Sequence, residues 1–223
     1  MRYSRKKPAR LWRRGFYDLI LRRYNIWSYS LAICMIICYN FFGDVMLMIS
    51  IMDMDRKLQH SHAHAMLREC LRPCGIDYSG DTPVTYGKMG KPSLTEYPEV
   101  HYNLSHAEGI AACIVSGREC GIDCERVRAF RPRVVKRAFS ESEKQLLEEA
   151  PQEEKDLLFF RLWTLKEAYV KAIGLGLSFP LSDVGFSFSD EGISCSIDGC
   201  SFRQYILGNG EYVVSVCTLD LEK

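Results

Sequence analysis

The chain has 223 residues, 47% apolar and 26% charged, a composition that supports a buried core in one domain or two small ones and excludes a disordered or fibrous polymer. Its net charge of +1 hides an asymmetry: residues 1–45 carry nine Lys/Arg against Asp18 and Asp44, or +7, which leaves −6 for the remainder. A mildly acidic body gives no nucleic-acid footprint across the whole protein.

Residues 1–23 are strongly basic and run into an uncharged stretch, residues 24–43, long enough to span a bilayer as a helix. Asn25, Ser28, Ser30 and Asn40 dilute its apolarity, and Asp44 interrupts it. Basic residues ahead of a span would also send the rest of the chain across the membrane, away from any cytosolic cofactor. Residues 1–45 are therefore read as an extension apart from the fold, translated from upstream of a start near Met46 or Met48. An anchoring leader and a poorly ordered tail are the other readings.

From Met46, MLMISIMDMD alternates as a first strand. In DRKLQHSHAHAMLREC, residues 55–70, Leu58, Ala65, Met66 and Leu67 fall at helical intervals, and RPCG closes the helix. His60, His62 and His64 on it could hold a metal through an i, i+4 pair, but with no Cys or carboxylate ligand nearby they read as a solvated face. YGKMGKPSL is a glycine-rich basic loop carrying Lys88 and Lys91. VHYNL, IAACIV and GIDCERV follow as three strands with turns at SHAEG and SGREC, an expected antiparallel meander. Ser140 and Glu143 then form a capping box ahead of one helix. In the longer helix that follows, Leu158, Leu162, Leu165 and Tyr169 share a buried face, and Gly174 is placed to end it. The tail alternates through VGFSFS, ISCSI, SFRQYIL and EYVVSVCTL, the pattern of antiparallel hairpins.

The element order predicts an α+β fold that divides near Gly117 into lobes of residues 46–117 and 118–223. The ten cysteines include the C-x3-C pairs Cys34/Cys38, Cys70/Cys74 and Cys120/Cys124. That spacing does not match zinc knuckles, so they read as reduced thiols of a cytosolic protein.

Three constellations could carry chemistry. Asp123 and Glu125 are two apart on a strand and leave the same face, as two oxygen ligands for Mg²⁺ would; the plainer account is an acidic stripe on an edge strand. Glu167 and Lys171 lie one turn apart beside Trp163 and Lys166, where a carboxylate could complete a metal site and a lysine could reach a phosphate; the plainer account is an exposed ion pair. Ser105 and His106, expected at a turn, could grip a phosphate. A Ser/His nucleophile pair is disfavoured, because neighbours in sequence seldom place hydroxyl against imidazole.

The ordered set YGKMGKP, HYNLSHAEG, GIDCERV and FFRLWTLKEAYVKAIGLGLSFPL resembles the 4′-phosphopantetheinyl transferases of the Sfp type. The shorter holo-acyl-carrier-protein synthases share the last two motifs but lack a preceding N-L-S-H half. The resemblance implies two similar lobes related by a pseudo-twofold axis, each an antiparallel sheet packed with a long helix, and coenzyme A in the cleft between them. It implies transfer of 4′-phosphopantetheine to a serine of an apo acyl or peptidyl carrier protein, with release of 3′,5′-ADP, in the cytoplasm and without membrane attachment. By motif position, Asp123, Glu125 and Glu167 would ligate Mg²⁺, with Glu167 also the base. Arg56, Lys91, Ser105, His106 and Lys166 would bind the nucleotide, and Lys171 would stabilise the leaving phosphate. Rivals are a dedicated synthase for fatty-acid carriers and a non-catalytic coenzyme A-binding or membrane-attached module of the same fold.

Overall fold

The computed structural model describes residues 35–41, 45–52 and 56–220. A four-stranded antiparallel sheet is built from β1 (Met35–Phe41), β2 (Val45–Ile51), β5 (His101–Ala107) and β6 (Ile110–Ser116) in the order β1-β2-β6-β5. A three-stranded antiparallel sheet joins β7 (Cys120–Arg126), β10 (Cys200–Leu207) and β11 (Tyr212–Leu219) in the order β10-β11-β7. Two small hairpins complete the strands, β3 (Val84–Tyr86) with β4 (Pro92–Leu94) and β8 (Phe186–Ser189) with β9 (Gly192–Cys195).

Each large sheet buries one face beneath a helix. On the first, Ala63, Met66, Leu67 and Leu71 of α1 (Arg56–Leu71) pack with Met46, Met48, Ala111, Cys113 and Val115. On the second, Leu162, Leu165, Ala168 and Ala172 of the long helix α4 (Lys155–Ile173) pack with Val213 and Cys217. The opposite faces meet each other: Val45, Leu47, Ile49, Ala112 and Ile114 share a third core with Ile122, Cys124, Val214 and Val216. Side chains alternate across a strand, so odd and even residues of β2 serve different cores. That is why Val45 to Ser50 are buried without interruption. The layers therefore run helix, sheet, sheet, helix, the α+β architecture expected from the element order.

Two short helices precede α4. Pro132 opens α2 (Pro132–Ala138), where its missing N–H costs nothing. The capping box of α3 (Glu141–Glu149) is formed, with Ser140 N donating to Glu143 Oε2 at 2.8 Å and Glu143 N donating back to Ser140 Oγ. α4 ends where Gly174 turns left-handed at φ 70°.

One expectation is corrected. The three-strand meander does not form: β6 already has β2 on one edge and β5 on the other, so β7 pairs with β11 in the second sheet. Met35–Phe41, ahead of the expected boundary at residue 45, pairs antiparallel with Val45–Ile51. The isoleucine-rich run that could have been part of a bilayer span is strand-forming as well as apolar. Residues 1–34 lie outside the described residues.

Candidate active site

β5 and β7 run side by side at the meeting edges of the two sheets, laced by side chains. Asn103 Oδ1 accepts from Ile122 N at 3.0 Å, and Ser105 Oγ accepts from Cys124 N at 3.2 Å. The same serine donates to Asp123 Oδ1 at 3.0 Å. From α4, Lys171 Nζ donates to Asp123 Oδ1 at 2.7 Å and to Ser105 Oγ at 3.1 Å. Helix and strand approach this closely because of Gly121: a Cβ there would stand 2.1 Å from the Ala168 carbonyl oxygen and 2.4 Å from Ala172 N.

Glu167 lies one turn before Lys171 and shares its electrostatic environment. Burial pushes its carboxyl up to about 7, the Asp123 charge adds to the effect, and Lys171 opposes it. Burial and then Asp123 also raise Glu125, against the pull of Arg128, whose guanidinium lies 3.0 Å from Glu125 Oε2. Burial works against the Lys171 ammonium, yet Asp123 and its neighbours hold its pKa above the ordinary lysine value. Asp123 Oδ2 and Glu167 Oε1 are both buried and have no hydrogen-bond partner. Buried carboxylate oxygens without a donor are costly.

Those two oxygens test whether the residues suit a cation. Among the described residues, no group of three His, Cys, Asp or Glu closes into a ready metal site. The donor chemistry nevertheless fits a hard divalent ion: Asp123 and Glu125 share a face of β7, Glu167 faces them electrostatically, and two oxygens await a partner.

The structure thus brings together Asp123, Glu125, Glu167, Lys171 and Ser105, and places other predicted residues elsewhere. Ser105 and His106 are in β5, not at a turn; the turn is Glu108–Gly109, since Ala107 still pairs with Ile110. Ser105 is buried, and its hydroxyl is bonded to Asp123, to Cys124 N and to the Lys171 ammonium. His106 is exposed at the end of β5, its ring 6.2 Å from that of His60. Lys166 is a correction. One residue along a helix is a 100° rotation, and Lys166 points into the second lobe's core, fully buried against Glu143 Oε2 at 2.8 Å and the carbonyls of Leu181 and Val184. Lys91 sits at the end of α4, bonded to Glu119 and to the Ala172 carbonyl. Lys88 is exposed, and the Arg56 side chain lies outside the described residues.

The histidines of α1 are not simply solvated: His62 Nε2 is 2.9 Å from Ser50 Oγ, and His64 Nδ1 is 2.9 Å from Tyr78 Oη. The cysteines at 70, 74, 113, 120, 124, 195, 200 and 217 are free thiols. Sequence reading missed a cavity of about 460 Å³ between α2 and α4, lined by Arg133, Arg137, Trp163 and Phe179. The only signal for it is the basic spacing of RPRVVKR.

The model of the 4′-phosphopantetheinyl transferase superfamily matches residues 119–217, the stretch from Glu119 through β11. A 4′-phosphopantetheinyl transferase of Bacillus subtilis is 32% identical over 150 residues, 64% of this chain and 65% of the relative. The transferase psf-1 of Bacillus pumilus is 36% identical over 134 residues, 58% of this chain and 57% of the relative. The chain thus spans less than two thirds of the length of these relatives. Among solved structures, holo-acyl-carrier-protein synthase of Thermotoga maritima aligns with 47% of this chain and 64% of its own, at 23% identity and a TM-score of 0.40. Asp123, Glu125, Glu167 and Lys171 all lie within the matched stretch.

Proposed function

We propose that the protein transfers 4′-phosphopantetheine from coenzyme A to a serine of an apo acyl or peptidyl carrier protein, releasing 3′,5′-ADP, with Mg²⁺ as cofactor and the cytoplasm as its setting. The observation that carries the reading is the pair of orphaned buried oxygens, Asp123 Oδ2 and Glu167 Oε1, beside the Lys171 ammonium in a stretch that matches the model of this superfamily. Asp123, Glu125 and Glu167 would hold the ion, which when bound neutralises charge on the pyrophosphate of coenzyme A. Ser105 fixes the Asp123 carboxylate through its hydroxyl, and Cys124 N fixes Ser105 in turn. Lys171 carries its charge to within reach of the same carboxylate and is placed to hold the departing phosphate. Glu167 is assigned to taking the proton of the carrier serine. Lys91 and His106 are assigned to the 3′-phosphate end of the nucleotide, and Arg56 opens α1 on the same lobe.

Among the described residues no helix is long and apolar enough to cross a membrane. Intact mass spectrometry of an apo carrier protein incubated with this protein, coenzyme A and Mg²⁺ tests the reading. A gain of one phosphopantetheine, lost when EDTA is added, is the expected result. Unchanged mass across fatty-acid, polyketide and peptide carriers, with folded protein, contradicts it.

A further inference from the structure

Glu119 lies in the short connection between the two sheets, one residue before β7. Its backbone carbonyl accepts from Leu219 N at 2.8 Å, which fixes the residue against β11. Its carboxylate has two partners: His101 Nδ1 at 3.3 Å, at the start of β5, and Lys91 Nζ, from the loop that joins β3 to β4. Those partners, with the His101 contact first, hold its pKa down to about 2, so it is ionised at any physiological pH.

Lys91 is the more confined partner, with a side chain 15% exposed against 47% for Glu119. Its ammonium also donates to the carbonyl of Ala172 in the last turn of α4, where a cation complements the helix dipole. Its stem crosses the helix end so closely that a Cβ on Gly174 would lie 3.1 Å from Lys91 Cδ. The backbone is fixed as well, since the Lys91 carbonyl accepts from Gly87 N at 2.9 Å. One carboxylate thus gathers the β3–β4 loop, the start of the strand that bears Ser105 and His106, and the end of the helix that bears Glu167 and Lys171.

We propose that Glu119 is a positioning residue for nucleotide binding: it holds the Lys91 ammonium at the end of α4 and so presents it to the 3′-phosphate of coenzyme A. This rests on the transfer reading above. Without the Glu119 charge, Lys91 keeps its own charge but loses its fixed place, and the entropy of a free lysine side chain then opposes each phosphate contact. The loss is confined to ligands that carry a 3′-phosphate.

Calorimetric titration of the full chain with 3′,5′-ADP and with 5′-AMP tests this without reference to turnover. Wild type is expected to prefer 3′,5′-ADP. Glu119→Gln should narrow that preference about tenfold, leave 5′-AMP affinity unchanged, and raise KM for coenzyme A with little change in kcat. Lys91→Ala should narrow it at least as much, and the double variant should lose nothing beyond Lys91→Ala alone. An unaltered preference in Glu119→Gln, equal weakening of both nucleotides, or additive losses in the double variant would each overturn the assignment. Wild type that binds neither nucleotide would instead contradict the transfer reading on which it rests.

Discussion

At the residue scale, Glu167 and Lys166 are neighbours on α4 with opposite fates. Glu167 has its pKa raised to about 7, chiefly by burial. Between the ordinary carboxylate value and about 7 the folded state binds more protons than the unfolded one, so this group makes stability fall as pH rises through that window. In EDTA, Glu167→Gln should remove that decline, seen as a flatter plot of Tm against pH from about 5 to 7; an unchanged slope would contradict the burial argument. Lys166 forms a fully buried pair with Glu143, also the third helical residue in the capping box of α3. Removing one member of such a pair strands the other charge, so Lys166→Ala should cost about 3–5 kcal/mol in urea denaturation. Coenzyme A affinity of the folded fraction should be unchanged. The motif W-x-x-K-E-A-x-x-K made both lysines legible as site candidates. The five-residue step from Lys166 to Lys171, about 140° around the helix, together with a partner 23 positions upstream, separates the lysine buried in the core from the one beside Asp123.

At the scale of elements, α4 against β7 sets the geometry of the site. Gly121 admits the helix backbone, and α4 in turn aims Lys171 at Asp123. Gly121→Ala must push the helix outward, with an expected loss of about 3 kcal/mol in chemical denaturation. Carrier modification should fall with it in whatever protein stays folded. Alternation and helical periodicity revealed most of these elements, including the capping box and the Gly174 terminus, because such signals are local. Strand partners are not local. Nothing within GIDCERV says that it pairs with the last strand in place of the preceding one; that follows from β2 occupying the free edge of β6. The strand nature of residues 35–41 was masked for a similar reason, since an apolar run of that composition suits either a strand or a longer span.

For the whole molecule, two helix-covered sheets share the core around Leu47, Ile114, Ile122 and Val214, and are laced where β5 meets β7. Asn103 supplies a buried amide acceptor to Ile122 N. Asn103→Ala leaves that N–H unpaired and should cost about 1–3 kcal/mol. If the lacing also aligns the site, the variant's kcat should fall in mass-spectrometric assays of carrier modification. The central claim is that Glu167, held beside Asp123 and Lys171, performs the transfer. The most direct test is single-turnover mass spectrometry of an apo carrier protein with Glu167→Gln, its fold checked by circular dichroism. The account predicts a rate lower by about a thousandfold or more at unchanged fold; near wild-type turnover by the folded variant would contradict it.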